Sequence, residues 1–382
     1  MSQLNVDTIK KADGTGSLTV PAESGTVVTT ASPSLGRRNL IINGAMQVAQ
    51  RGTSAITANG NNQFPVDRFA VQQVGVGGSF TAQQSSTAPE GHSKSLVITV
   101  TGTGTPSGSD RAMIAQFIEG LNSAHLNWGT ANAKTVTFSF WVRSSVTGTF
   151  GGSITNNDVT PSYPFTYSIS SADTWEQKTI TIEGPTTGTW LATNGVGVRV
   201  YFGISVGPDK SGTSGAWASA DYRSATGATN LLATNGATFY ITGVQLEVGS
   251  VATPFEHRSY GEELALCQRY YTKYKQDYFY SSDSVIAIGC YNDPDDSVFL
   301  INLPVTLRGT PTMGYNGLSV SYTGNQNMEE TSGVTVQTLM AVSNNTVFIT
   351  VDHAGGGSST AVHLLGLGAE NASHYLDLDC EL

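Results

Sequence analysis

One stretch decides the fold: residues 238–249, which read TFYITGVQLEVG. Its first five residues alternate between polar and apolar or aromatic side chains, the period of a half-buried β-strand. Gly243 interrupts that alternation, so that Val244 and Leu246 stand one register off from the apolar residues before it. A β-bulge or a bend produces such a shift. The stretch therefore predicts a long strand that is bulged at the glycine.

The sequence period changes shortly after this strand. Beyond Gly261, apolar and aromatic residues recur at three- and four-residue steps, the spacing of one helical face. This spacing predicts a short linking helix over residues 258–275, between two all-β bodies. Because so short a helix is marginal in isolation, its stripe must pack, either against the flanking sandwiches or against symmetry mates. We predict the second, an oligomerisation seam of Leu264, Cys267, Tyr271 and Tyr274.

The composition agrees with an all-β fold. Only 13% of the 382 residues are charged, and 43 are glycine. Short β-branched and aromatic runs between glycine, serine and threonine are typical of many strands joined by tight turns. The formal net charge of −10 argues against a nucleic-acid partner, because phosphate binding needs clustered cations. No apolar run approaches the ~20 residues of a membrane span, so we expect no membrane insertion.

Residues 1–36 differ from the rest of the chain. They contain short alternating pieces, such as residues 4–9 (LNVDTI), which bury too little apolar surface to fold alone. They form either a disordered arm or an arm that gains order by docking on a partner. We favour docking, because a flexible tail needs no spaced Val, Ile and Leu. Strand signals over residues 37–257 and 276–382 predict two β-sandwiches.

Several motifs then follow one another in a recognisable order. Residues 137–143 (TFSFWVR), 175–177 (WEQ) and 239–247 (FYITGVQLE) resemble the strands and central tryptophan of jelly-roll carbohydrate-binding modules. A second set of runs resembles bacteriophage tail-fibre proteins: residues 39–44 (NLIING), 50–52 (QRG), 67–69 (DRF), 262–271 (EELALCQRYY) and 303–311 (LPVTLRGTP). A third set is similar to virion-anchoring segments of marine phages: residues 4–9, 20–21 (VP) and 25–27 (GTV).

This resemblance implies a phage virion appendage, assembled in the host cytoplasm and located in the tail. It implies docking on tail proteins through residues 1–36, a homo-oligomeric, trimeric state, and attachment of the jelly roll to a host-surface glycan or protein. The alternative is a structural adaptor or decoration protein of the tail or capsid that binds no receptor. A glycan-degrading tailspike is a third class. We expect no enzyme, because the sequence contains no catalytic motif in a sensible context and no evident parallel β-helix repeat.

Two predicted strands each place an aromatic ring and an arginine on their more polar face. Alternation pairs Trp141 with Arg143 on one strand, and Arg199 with Tyr201 on the other. Aromatic rings stack on the C–H faces of sugars, and arginine contacts hydroxyls or carboxylates. We therefore predict that these four residues form one carbohydrate-binding patch. The alternative is that a loop or a neighbouring subunit covers these faces.

No cofactor is predicted. The acidic turn of Asp293, Asp295 and Asp296 offers oxygen ligands of the type that Ca²⁺ prefers, and a solvated loop is the alternative for it. The three cysteines are odd in number and widely spaced. We therefore expect free thiols, and neither a disulfide framework nor a cysteine metal site.

Overall fold

The computed structural model describes residues 9–10, 17–18, 37–275, 284–293, 296–322, 335–343, 345–352, 362–367 and 374–382. The chain divides into two compact units, Met1–Arg38 and Asn39–Leu382. In the first unit, β1 (Ile9–Lys10) pairs antiparallel with β2 (Ser17–Leu18). The other residues of the predicted arm lie outside the described residues, so the docking role of residues 1–36 stays a prediction.

The second unit is almost entirely β-structure, which confirms the predicted all-β class. Its first part contains β3 (Ile56–Thr57), β4 (Gln63–Val66), β5 (Phe69–Val74), β6 (Ser79–Ser85), β7 (Ser95–Gly102), β8 (Arg111–Glu119), α1 (Gly120–Ser123), β9 (Val136–Ser144), β10 (Gly148–Thr155), β11 (Ser162–Ile169), β12 (Glu176–Ile182), β13 (Val196–Val206), β14 (Ser211–Gly212), β15 (Ser224–Ala225) and β16 (Thr238–Val248). Its second part contains α2 (Tyr260–Gln268), β17 (Tyr271–Lys275), β18 (Ser284–Asp293), β19 (Asp296–Asn302), β20 (Thr312–Asn316), β21 (Leu318–Tyr322), β22 (Thr335–Ser343), β23 (Thr346–Asp352), β24 (Val362–Leu367) and β25 (Tyr375–Asp379).

Strands β3 to β13 and β16 build a sandwich of two six-stranded sheets, and β14 and β15 pair as a separate parallel ribbon. Sheet I has the order β12-β9-β16-β7-β6-β3, and sheet II has the order β11-β10-β13-β8-β5-β4. Alternate side chains of β9 and β13 meet between the sheets, where the ring centre of Phe202 lies 5.5 Å from that of Phe138 and 5.0 Å from that of Phe140. Each such buried aromatic side chain stabilises the fold by about 1.5–3 kcal/mol. The remaining side chains of these two strands therefore point to opposite outer faces of the sandwich.

Strand β16 contains the predicted bulge. Gly243 has a φ angle of +60°, a left-handed conformation that glycine adopts without steric cost. The register of β16 against β9 shifts between Thr242 and Gln245. As a result Ile241 and Val244 are both fully buried, although they are three residues apart in a strand. The bulge prediction is confirmed.

A second sandwich follows the first. Sheet III has the order β17-β25-β20, and sheet IV has the order β21-β24-β18-β19-β23-β22. Burial alternates residue by residue along β19 and β23, as it does when one face of a sheet lies on a core. Phe299 and Ile349 on the inner face of sheet IV share a hydrophobic cluster with Leu376 and Leu378 of β25.

The linking helix is shorter than the spacing predicted. Its N-cap is Ser259, whose hydroxyl oxygen accepts a hydrogen bond from the backbone N–H of Glu262. Helix α2 ends at Gln268, and residues 271–275 form β17, which pairs with β25. The prediction of a helix up to residue 275 is therefore wrong. Backbone pairing with a strand about a hundred residues further along outweighs local periodicity in this Tyr- and Thr-containing segment.

The predicted seam residues do not form one helical stripe. Cys267 and Tyr271 are only 0% and 2% exposed within the chain itself. Leu264 packs on the small cluster that contains Cys267, whereas Tyr274 packs on the core of the second sandwich. Cys267 and Tyr271 are therefore packed inside the chain, which was the alternative to a seam between subunits. Oligomerisation itself is untested by these contacts and stays a prediction.

A polar junction connects the two sandwiches. The carboxylate of Glu119, at the end of β8, accepts hydrogen bonds from the Arg269 guanidinium at 2.6 and 2.8 Å and from the Tyr270 hydroxyl at 2.7 Å. Arg269 also donates to the carbonyl oxygen of Thr306 in the second sandwich. The Glu119 side chain thereby ties the first sandwich to the residues that follow α2.

A second set of contacts in the junction involves the residues after β25. Arg68, which is 1% exposed, pairs with Glu381, and its guanidinium lies 3.5 Å from the ring centre of Tyr270. Arg51 pairs with Asp379 at 2.8 Å. Burial raises the pKa of Glu381, while the two arginines act in the opposite direction. Residues more than 300 positions apart thus meet in one ion-pair network.

Candidate functional site

The four predicted sugar-binding residues do not form one patch. Trp141 and Arg143 lie on β9 in sheet I, whereas Arg199 and Tyr201 lie on β13 in sheet II. Both pairs occupy outer faces, as alternation predicted, but the two outer faces point in opposite directions. The prediction of a single four-residue patch is therefore wrong. Whether either pair binds a sugar is a separate question.

The outer face of sheet II is largely covered by the chain itself. Strand β15 contacts β10, β11 and β13, and both of its residues are buried. Gly151 and Gly203 make this approach possible, since a Cβ atom at Gly151 would lie 2.5 Å from the Ser224 hydroxyl oxygen. Tyr201 beneath this cover is 1% exposed, and the Arg223 guanidinium lies 4.5 Å from its ring centre. Tyr201 is therefore covered by a loop of the chain, which was the alternative to sugar binding.

Arg199 is also engaged inside the chain. It is half-buried, and its guanidinium donates to the side-chain oxygen of Asn157 at 3.0 Å. The hydroxyls of Ser153, Tyr201 and Ser205 on the same face are buried and have no hydrogen-bond partner among the described residues. Ordered water is the usual partner of such enclosed hydroxyls. This face is consequently a packed surface rather than an open platform.

The outer face of sheet I is covered along only part of its length. Beyond the bulge, Gln245 and Glu247 are buried under the segment that follows β16. Glu247 accepts hydrogen bonds from the backbone N–H and the hydroxyl of Thr253, at 2.8 and 2.6 Å. The backbone N–H of Glu256 donates to the side-chain oxygen of Gln245. The covering segment thus leaves open the part of the sheet before the bulge.

A row of aromatic side chains lies on this open part, and we call it the aromatic strip. Tyr240 and Trp141 stand on neighbouring strands, where Tyr240 is opposite Arg143 and Trp141 is opposite Thr242. Each strip residue is half-buried except His257, which is exposed. The strip consists of His92, Trp141, Trp175, Tyr240, Phe255 and His257.

Trp175 and Arg143 frame one end of the strip. The ring centres of Trp175 and Tyr240 are 6.1 Å apart in an edge-to-face arrangement. The Arg143 guanidinium lies 5.2 Å from the Tyr240 ring centre. Arg143 donates from Nε to the backbone oxygen of Asp173 at 2.9 Å and from Nη2 to its carboxylate at 3.2 Å. This bracing holds the guanidinium beside the Tyr240 ring.

His92 and Phe255 form the other end. Their ring centres are 5.0 Å apart, and His257 lies 5.5 Å from His92. Burial, and after it the neighbouring His257, lowers the pKa of His92. A Cβ atom at Gly243 would lie 2.9 Å from Trp141 and 3.0 Å from His92. The bulge glycine therefore lets Trp141 and His92 lie against the same stretch of backbone.

A separate cluster of tryptophans has a packing role. The rings of Trp128, Trp190 and Trp217 contact one another edge to face, with centres 4.7–5.6 Å apart. Each indole N–H donates to a backbone carbonyl oxygen, of Lys134, Thr187 and Glu183 respectively. Their polar atoms are already paired, and their rings pack on the hydrophobic core of the first sandwich.

The aromatic strip is the surface best suited to a ligand. Its rings present apolar faces with polar groups beside them, the combination that stacks on a sugar ring while hydrogen-bonding its hydroxyls. The strip extends from the start of β12 across β9 and β16 towards β7, roughly 14 Å at about 4.8 Å per strand. Trp141 and Arg143 were predicted from sequence alone. Tyr240 was missed, although its alternation with two buried neighbours placed it on the same kind of face.

No protein-family model matches the chain, and no curated protein matches it by sequence. Similar solved structures include the enzymatically active domain of tailspike protein 4 from bacteriophage CBA120, at 15% identity and a TM-score of 0.31, with 55% of this chain and 21% of that chain covered. A putative sugar binding protein from Bacteroides thetaiotaomicron is 11% identical, with a TM-score of 0.32, and the match covers 56% of this chain and 100% of the other.

A third similar structure is a family 11 carbohydrate-binding module from Clostridium thermocellum, in complex with a β-1,3-1,4-mixed-linked tetrasaccharide. It is 10% identical with a TM-score of 0.27, and the match covers 53% of this chain and 99% of that chain.

Two further properties bear on the site. No helix in the described ranges is long and apolar enough to cross a membrane. Among the described residues, no group of three or more His, Cys, Asp or Glu is arranged to hold a metal ion. Asp295 of the predicted calcium turn lies outside the described residues, so that turn stays a prediction.

Proposed function

We propose that this protein is a phage virion appendage of the tail-fibre type, which adheres to a host-surface glycan through the aromatic strip. The observation that carries the proposal is the row of half-buried rings on the open part of sheet I, from Trp175 to Phe255. The proposal of a phage origin rests on the resemblance of the sequence motifs to tail-fibre proteins.

The proposed activity is adhesion without turnover. Glu176 follows Trp175 but lies opposite the core-facing Val142, on the other face of sheet I from the strip, and is ion-paired with Lys178 at 2.6 Å. Asp173 is ion-paired with Arg143 at 3.2 Å. The Lys178 hydrogen bond lowers the pKa of Glu176. A glycosidase needs the opposite, a carboxyl whose pKa is raised so that it stays protonated as a general acid. Glu176 is therefore unsuited to be the general acid of a glycosidase, and the proposal assigns the strip to ligand binding.

The test is binding of the full chain to an array of bacterial surface polysaccharides. Trp141→Ala and Tyr240→Ala should each weaken the strongest signal by about 5- to 150-fold, which corresponds to about 1–3 kcal/mol for an aromatic anchor. Tyr260→Ala is the matched control, because Tyr260 is an aromatic residue of 57% exposure that does not belong to the strip. Unchanged binding in both strip variants, with intact folding, would contradict the proposal.

In this proposal residues 1–36 dock the protein on the phage tail, and the mature appendage is a trimer. Both parts follow the sequence resemblance. Deletion of residues 1–36 should leave a soluble, folded remainder that no longer enters virions. Incorporation of the truncated protein at the level of the full chain would refute the docking role.

A structural adaptor remains the second candidate, and one observation favours it. Ile288 and Leu300 project from the outer face of sheet IV with 64% and 49% exposure, an apolar surface suited to a protein contact. If the adaptor role is correct, the chain binds no polysaccharide of the array, and the Ile288→Asp variant is no longer incorporated into virions. Glycan binding that survives Ile288→Asp would favour adhesion.

A further inference from the structure

The end of the aromatic strip at Tyr240 and Trp175 has an unusual charge arrangement. Arg143 is the cation beside the two rings, with a side chain that is 24% exposed. An unpaired arginine at this place would attract the carboxylate of an acidic sugar, for which its planar donors are suited. Two of its five N–H donors are instead directed at Asp173, one at the backbone oxygen and one at the carboxylate.

Asp173 is held in place by its own backbone. Its φ angle is +54°, and its backbone N–H donates to the carbonyl oxygen of Ser144 at 2.7 Å. Ser144 ends the strand that carries Arg143, so the aspartate is fixed against its partner. The Asp173 side chain is 55% exposed and therefore also projects negative charge towards solvent. An acidic sugar on Tyr240 would meet this carboxylate rather than a free guanidinium.

The neighbouring charges do not reverse this arrangement. Glu176, which follows Trp175, lies on the other face of sheet I, opposite Val142, and is paired there with Lys178. Lys94 is associated with the opposite end of the strip, near His92, and its backbone oxygen accepts a hydrogen bond from Thr242. The whole chain has a formal net charge of −10, which opposes the approach of polyanions within about a Debye length of ~10 Å at 0.1 M salt.

Building on the proposed function, we infer that the Tyr240–Trp175 end of the strip selects an uncharged sugar, and that Asp173 is the residue that determines this specificity. Asp173 acts by neutralising Arg143 and by repelling carboxylate and sulfate groups. Arg143 then serves as a planar surface and hydroxyl donor beside Tyr240 rather than as an anion receptor. The ligand class is a neutral polysaccharide segment.

The test compares neutral probes, laminarin and dextran, with anionic probes, alginate and hyaluronan, on the full chain. Asp173→Asn keeps the shape, and asparagine tolerates the left-handed backbone that this position requires. It should raise the ratio of anionic to neutral binding by about two- to fivefold, the strength of one partly exposed arginine–carboxylate pair. The gain should disappear in ~1 M salt, because screening removes it.

Asp158→Asn is the matched control, because it changes net charge equally at an exposed loop residue away from the strip. Equal gains in both variants would mean that total charge, and not Asp173, controls selectivity, which overturns the inference. The inference also fails if the unmutated chain binds alginate or hyaluronan as tightly as it binds a neutral probe, and in that case glycan adhesion itself survives. If the chain binds none of the four probes and no polysaccharide of the wider array, both the proposed function and this inference are refuted.

Discussion

Replacement of Glu119 by glutamine tests whether the junction couples the two sandwiches. The Glu119 side chain is 1% exposed and accepts three hydrogen bonds, two from Arg269 and one from Tyr270. Bonds to a charged group contribute about 1.5–3 kcal/mol each, against about 1 kcal/mol for a neutral pair. A glutamine side chain keeps one acceptor oxygen, but its NH₂ group would face an N–H or O–H group that donates to Glu119 in the wild type. Arg269 is 27% exposed and regains some hydration, so we expect a loss of about 2–3 kcal/mol in the free energy of unfolding.

The pH dependence gives this prediction a second signature. Burial opposes ionisation of Glu119, but the bonds from Arg269 and Tyr270 outweigh it, so its pKa is lowered in the folded state. A lowered pKa means that the carboxylate stabilises the fold above the unfolded-state value of about 4.3, and that this stability is lost as the pH falls through the folded-state value. The difference between wild type and Glu119→Gln should therefore be full at pH 7 and shrink below about pH 4.

Urea denaturation followed by circular dichroism measures both effects. Glu183→Gln is the control, since Glu183 is exposed and should change stability by less than about 0.5 kcal/mol. Arg269→Met should cost less in the Glu119→Gln background than in the wild type, because the two residues interact directly. A Glu119→Gln loss below about 0.5 kcal/mol, or one that is equal at pH 7 and pH 3.5, would refute the coupling.

Three further predictions follow from particular residues. Gly243→Ala should lower the free energy of unfolding by about 2–3 kcal/mol and weaken glycan binding, because it adds backbone strain and places a methyl group against Trp141 and His92. Gly236→Ala is the control for strain alone, since Gly236 has a similar φ angle but open space around it. Equal losses of stability in the two variants would contradict the steric part of the prediction. Tyr201→Phe should leave the free energy of unfolding unchanged or raise it by up to about 1 kcal/mol, since the Tyr201 hydroxyl has no hydrogen-bond partner among the described residues. A loss above about 1 kcal/mol would contradict this and would indicate that the hydroxyl binds a water molecule. Light scattering should give a mass three times that of one chain, and a monomeric mass at the concentration of an assembling particle would reject the trimer.

Local sequence was sufficient for properties that depend on near neighbours. Alternation placed Trp141 and Arg143 on an outer face, and the break at Gly243 predicted the bulge in β16. The all-β class followed from the glycine-punctuated runs of β-branched and aromatic residues. These features are readable because side-chain direction in a strand has a period of two, which each segment determines for itself.

Tertiary structure decided which segments meet. Alternation cannot tell that β9 and β13 belong to opposite sheets, so Tyr201 was grouped with Trp141 although they face away from each other. Helical spacing at Tyr271 was outweighed by pairing with β25, and the aromatic strip needed loops around His92 and Phe255 to converge on sheet I. Sheet membership and loop convergence depend on hydrogen bonds and burial between residues tens to hundreds of positions apart. For that reason the faces of single strands can be read from local alternation, whereas the faces that stay open to a ligand emerge only when distant segments pack together.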